Sequence, residues 1–92
     1  MSEITLKRQD DTTYEVELRD GDTVTSHRVT VPPGMVEDLE LGDVDPDVLV
    51  RESMEFLLER ESPSSVLPEF ALTDIQGYFS EYYDEIQTRL QD

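Results

Sequence analysis

Residues 45–62 read Asp-Pro-Asp-Val-Leu-Val-Arg-Glu-Ser-Met-Glu-Phe-Leu-Leu-Glu-Arg-Glu-Ser, and this stretch decides the fold. Asp45 is a capping residue type, Pro46 suits the first helical position, and Ser62-Pro63 stops the run. Between those signals Leu49, Val50, Met54, Leu57 and Leu58 recur at helical spacing, and Ser53 and Phe56 widen the stripe. Arg51, Glu52, Glu55 and Glu59 hold the other side. An apolar face that broad needs a sheet to cover it.

The strands lie upstream. Residues 3–8 alternate with Ile4 and Leu6 on one face, and residues 13–19 alternate with Tyr14, Val16 and Leu18 inward. The tip Asp10-Asp11-Thr12 predicts a three-residue hairpin loop. That register sets Leu6 opposite Val16, Ile4 opposite Leu18 and Lys7 opposite Glu15, so apolar meets apolar and plus meets minus. Asp20-Gly21 predicts a two-residue type I′ turn. Pairing outward from it places Val16 beside Thr25, Tyr14 beside His27 and Thr12 beside Val29. The inner face then reads Tyr14, Val16, Leu18, Thr25, His27, Val29, Val31, while Val24 falls on the outer face beside Glu17. Pro32-Pro33-Gly34 ends the third strand, since neither proline can donate to a ladder.

Downstream, residues 35–41 carry Met35, Val36 and Leu39 at helical spacing, with Gly42 as the stop. Residues 64–68 form a connector with one short helical turn. Thr73-Asp-Ile-Gln76 fits a capping box, and Ile75, Phe79, Tyr82, Ile86 and Leu90 make a helical stripe. Gly77 and Ser80 weaken its middle, so two short helices are expected, over 74–79 and 81–91. The predicted fold class is α+β: a three-stranded antiparallel meander packed against one main helix, with short C-terminal helices. It is read as a single domain over 1–92, with the meander in 1–31 and the helical part in 32–92.

Charge is the strongest compositional signal. Twenty-three acidic residues face seven basic ones, giving a net charge of −16, and six of the seven are arginine. Self-repulsion of this size destabilises a compact state, and dissolved salt screens it. Dispersed carboxylates with lysine depleted point to a protein of a salt-accumulating cell. The apolar runs fall short of the ~18 residues of a membrane helix and the N-terminus lacks a signal pattern, so a cytoplasmic protein without membrane contact is expected. The absence of cysteine excludes disulfides and thiolate metal sites. Direct nucleic-acid binding is disfavoured, because phosphate contacts need a basic patch.

Chemistry-bearing patterns are sparse. Asp43, Asp45 and Asp47 have the first spacing of a calcium loop, but Val48 stands at its sixth position and Met54 at its twelfth. The stretch reads as a polar, helix-capping turn. His27 is the single histidine and has no second nitrogen or thiolate ligand to join it. Ser62, Ser64 and Ser65 lie beside proline without a nucleophile elbow, and the glycines are isolated. No catalytic residue, metal ligand or cofactor is therefore expected, and the chain is read as non-catalytic. Tyr78-Phe79-Ser80-Glu81-Tyr82-Tyr83 holds four of the seven aromatic residues, more rings than one small core accepts. Tyr78, Tyr82 and Tyr83 are therefore candidates for a partner interface. Arg28 and Val24 join them from the outer sheet face, the least acidic surface expected. The edge strands 3–8 and 23–31 offer a route to a homodimer.

The hairpin Arg-Asp-Gly-Asp-Thr-Val-Thr-Ser-His-Arg-Val-Thr-Val-Pro (19–32), the helix Val-Arg-Glu-Ser-Met-Glu-Phe-Leu-Leu-Glu-Arg-Glu (50–61) and Ser-Ser-Val-Leu-Pro-Glu-Phe (64–70) carry a resemblance. Together they resemble a group of short uncharacterised prokaryotic α+β proteins of halophile type, to which no activity is assigned. A meander followed by a helix is also similar in architecture to HicB-type antitoxins, whose glycine-rich strand motif is missing here. The expected function is thus a protein-interaction or regulatory module adapted to high salt, self-association included. The alternative is an antitoxin-like or nucleic-acid-mimicking regulator that binds a basic partner.

Overall fold

Alternation builds the first three strands of the computed structural model, which describes residues 2–38 and 44–90. β1 (Ser2–Arg8), β2 (Thr13–Asp20) and β3 (Thr23–Thr30) pair antiparallel in sequence order. Leu6 faces Val16, Ile4 faces Leu18 and Lys7 faces Glu15, the register the three-residue loop predicts. Asp10 fixes that loop. Its Oδ1 accepts the backbone N–H groups of Thr12 and Thr13, each at 2.9 Å, while Gln9 N donates to the Thr13 carbonyl at 2.9 Å. The bond from Thr12 is the main cause that holds the Asp10 carboxyl below its ordinary value.

The β2–β3 turn needs a correction. Asp20 pairs with Thr23, so the turn residues are Gly21 and Asp22 rather than Asp20 and Gly21. Val16 lies beside His27, Tyr14 beside Val29, and Val24 beside Arg19. Gly21 adopts φ +62° at the first turn position, where both primed turn types require a positive value. The slip is two residues, one full side-chain period, so every residue keeps its assigned face.

The sheet itself is larger than expected. A fourth strand, β4 (Glu69–Ala71), pairs parallel to β3 at Arg28–Thr30, and the order is β1-β2-β3-β4. The sheet is thus mixed rather than a three-stranded meander. Three residues are too few to display an alternation, and β4 is held from outside itself. Arg28 N donates to the Pro68 carbonyl at 2.8 Å just before the strand begins.

Among the described residues four α-helices complete the fold. α1 (Pro33–Asp38) starts two residues before the expected 35; Leu39, Gly42 and Asp43 lie outside the described residues. α2 (Pro46–Leu58) is the organising helix. Asp45 starts it through its backbone carbonyl, which accepts from Val48 N at 3.0 Å and Leu49 N at 3.2 Å, and its side chain makes no cap bond. Beyond Leu58 the chain closes onto Leu57, whose carbonyl accepts from Arg60 N and Glu61 N. A single 3₁₀ turn at Pro63–Ser65 leads to β4, and α3 (Leu72–Tyr78) and α4 (Tyr82–Leu90) follow as two separate helices. The capping bond of α3 runs from Ala71 N to Asp74 Oδ2 at 3.0 Å, not through Thr73.

Tyr14, Val16, Leu18 and Val29 of the sheet meet Leu49, Val50, Met54 and Phe56 of α2 in one buried cluster. Leu72, Ile75, Tyr82 and Ile86 of α3 and α4 close it. Full burial of each such aliphatic side chain contributes about 1.5–3 kcal/mol before chain entropy is subtracted. Among the described residues, no helix is long and apolar enough to cross a membrane.

Candidate partner-binding cleft

The aromatic run divides at the α3–α4 bend. Tyr82 is fully buried, in edge-to-face contact with Phe56 at a centroid distance of 5.2 Å. Phe79 packs on the same ring at 5.9 Å, and the Arg60 guanidinium covers Phe56 at 3.7 Å from its centroid. Tyr83 is half-buried, 5.7 Å from the Tyr82 ring. Gln76 clamps the bend: its Nε2 donates to the Ser80 carbonyl at 2.7 Å and its Oε1 accepts from Tyr83 N at 2.9 Å. Tyr78, on the last turn of α3, is turned the other way and stands 70 % exposed. Of the three tyrosines the sequence singles out, Tyr82 is core, Tyr83 half-covered, and Tyr78 a surface ring.

Tyr78 lines a cleft. Leu57, Val66, Leu67, Phe70, Ile75 and Phe79 line it with Tyr78, and Glu61, Ser65 and Asp74 add polar groups, around about 490 Å³ of space that includes open solvent. Leu67 is exposed as well, so two large apolar side chains flank the opening.

Leu67, among the lining residues, is held by the sheet. His27 is buried at the inner face, where Nδ1 lies 2.6 Å from the Leu67 carbonyl and Nε2 lies 2.7 Å from Thr25 Oγ1. A carbonyl can only accept, so Nδ1 carries a proton and donates it; in the neutral ring Nε2 accepts from the Thr25 hydroxyl. His27 is therefore a fastener for the connector, and with the Arg28 N–H it pins residues 67 and 68 to β3. Sequence reasoning places His27 inward but could not find this partner, forty residues away along the chain.

The remaining candidates lie elsewhere. Val24 is 49 % exposed on the outer sheet face, and Arg28 on that face is exposed and 4.0 Å from Glu69 of β4. They do not line the cleft. Asp45 and Asp47 flank the start of α2, and Asp43 lies outside the described residues. Among the described residues no three His, Asp or Glu side chains are grouped to hold a metal ion. In the cleft, one rim carboxylate, Asp74, is already engaged by Ala71 N. What the arrangement offers is an apolar seat with an acidic rim.

The acids of α2, α4 and the residues flanking them are interleaved with arginine. Arg89 reaches Glu59 at 2.6 Å, Glu85 at 3.3 Å and Glu52 at 3.8 Å, and Arg60 reaches Glu81 at 3.3 Å. Comparison with protein-family models, curated proteins and solved structures finds no match.

Proposed function

We propose that this chain is a non-catalytic interaction module of a salt-accumulating cytoplasm, and that the cleft binds an apolar side chain presented by a basic partner protein. One observation carries the reading. Tyr78 is a large ring left 70 % exposed at the mouth of an apolar cleft, on a surface otherwise dominated by charge. Tyrosine serves such sites well, since its ring supplies contact area at low entropy cost while its hydroxyl stays wet. The acidic rim and the net charge of −16 select lysine or arginine around the anchoring side chain. An acidic mimic of nucleic acid draws less support, because Arg89 and Arg60 interrupt the acidic face of α2 and α4.

The test uses an arginine-flanked Leu-Phe peptide and amide chemical shifts of the folded protein. Shifts confined to residues 65–79, and a binding constant weakened at least about tenfold by Tyr78→Ala with the circular dichroism unchanged, are the expected result. Weak shifts scattered over the acidic surface, indifferent to Tyr78→Ala, would overturn it.

A further inference from the structure

β1 is the open edge of the sheet, and its sequence is complementary to itself. The bond from Gln9 N to the Thr13 carbonyl sets the phase of the β1–β2 ladder. Odd-numbered residues of β1 turn their backbone groups to β2, and Ile4, Leu6 and Arg8 turn theirs outward. Arg51 Nη1 confirms that direction by donating to the Ile4 carbonyl from α2, at 3.0 Å. Among the described residues the outward N–H groups of Ile4 and Leu6 face no further strand, because β1 ends the sheet.

We propose that a second copy of this chain pairs here, antiparallel, with the two-fold axis at Thr5. Glu3 then lies opposite Lys7 of the second copy, Ile4 opposite its Leu6, and Thr5 opposite its Thr5. Antiparallel neighbours must share a face, so only registers that move by two residues compete. Moving the axis one residue toward either end sets Glu3 against Thr5, or Arg8 against Ile4. The Thr5 axis alone pairs Glu3 with Lys7 and Ile4 with Leu6, with Arg8 falling opposite the uncharged Ser2.

The existing sheet extends the match. Within the chain, Arg28 faces Glu15, Glu15 faces Lys7, and Glu3 faces Arg19. Joined at Thr5, the outer face carries a continuous row in which charge alternates from Arg28 and Glu15 through Lys7 to the second copy's glutamate and arginine. On the inner face, Ile4 and Leu6 are only half-buried, and Ile4 borders an open recess with Glu55 and Leu58 of α2 and Glu59 just beyond it. The second copy covers Ile4 and Leu6. Arg51 need not leave, because a carbonyl oxygen accepts two hydrogen bonds. Glu55 and Glu59 beside the edge repel their counterparts, so salt strengthens the association. This surface is separate from the cleft, and the inference stands whether or not the cleft binds a partner.

Sedimentation analysis from about 0.1 to about 3 M potassium chloride tests the assembly. A dimer that tightens with salt is expected; a monomer at every salt concentration overturns the proposal. Glu3→Lys and Lys7→Glu should each weaken the dimer about tenfold, since each turns two attractive pairs repulsive. The double variant, or a mixture of the two single variants, should restore it. Within one chain both changes only remove favourable pairs with Arg19 and Glu15, so a purely intramolecular effect makes the double variant worst. The chain has no cysteine, which allows a geometric check. Thr5→Cys places two thiols about 4.5 Å apart between Cα atoms, within disulfide range, and should cross-link under mild oxidation. Glu3→Cys leaves its thiols about 14 Å apart and should not. Equal cross-linking of the two variants, or no rescue on mixing, rules the Thr5 axis out.

Discussion

Ser53 has one hydroxyl proton and two partners. It donates to the Leu49 carbonyl at 2.7 Å, so in the 2.5 Å contact with Tyr82 the phenol must be the donor. Burial keeps that phenol neutral, well above its ordinary range. The assignment makes the two truncations unequal. Tyr82→Phe removes a donor and leaves Ser53 bonded to Leu49, costing about 1 kcal/mol. Ser53→Ala strands a buried phenol and should cost about 1–3 kcal/mol despite deleting less. Urea denaturation at fixed salt measures both, and a larger loss for Tyr82→Phe would reverse the donor assignment. A second residue carries a pH signature. Burial, followed by a hydrogen bond and charge repulsion from Glu55, raises the Glu52 carboxyl above its ordinary 4.5, against the pull of Arg89. The folded state therefore favours the protonated acid. Its contribution is complete below the ordinary value and is lost as pH rises through the folded value. Glu52→Gln should raise the melting temperature at neutral pH and leave it nearly unchanged in mild acid. A gap that fails to open with pH would mean the Arg89 pair outweighs the burial. None of this was visible from spacing, because both effects depend on which face of α4 meets α2.

The strands show why some elements are legible and others not. β1 and β2 contain enough residues for alternation to declare a face, and opposite charges at Lys7 and Glu15 fix the register. At the second turn two frames compete, Asp20-Gly21 and Gly21-Asp22, and both give Gly21 a positive φ. The structure takes the second, which adds the Asp20–Thr23 pair to the ladder. Gly21→Ala should cost about 1 kcal/mol, since no L side chain is comfortable at φ +62°. The site shares this limit of sequence reasoning. Tyr78 was legible as a surplus ring, but its neighbours in the cleft include Phe70 of β4, a strand held from outside itself by β3. His27→Leu tests that dependence. Loss of the donor to the Leu67 carbonyl should speed amide exchange at Arg28, which bonds to Pro68, by at least about tenfold. Exchange in the β1–β2 ladder should stay unchanged; equal acceleration there would mean that His27 supports the whole core rather than the connector.

Across the whole molecule, charge sets the terms on which these elements hold together. Arg89, Arg60, Arg8, Arg19 and Arg28 each lie within 4.0 Å of a carboxylate, yet seven cations cannot neutralise twenty-three acids. Exposed pairs of this kind contribute about 0–1 kcal/mol each and weaken as salt is added. The unpaired repulsion also weakens with salt, and it involves far more groups. Screening acts over about 10 Å at 0.1 M and about 3 Å at 1 M, so the distances between neighbouring surface carboxylates fall within the range that salt removes. The second effect should win. The melting temperature is expected to climb from about 0.1 to about 1 M potassium chloride and flatten beyond it. Arg89→Gln sharpens the test, because this side chain is mostly covered and touches Glu52, Glu59 and Glu85 together. Its loss should lower the melting temperature most at low salt, where the three freed carboxylates repel unscreened, and least at high salt. A wild-type melting temperature that falls with salt would show that the ion pairs dominate, and the acidity would then have to be explained by a partner rather than by the solvent.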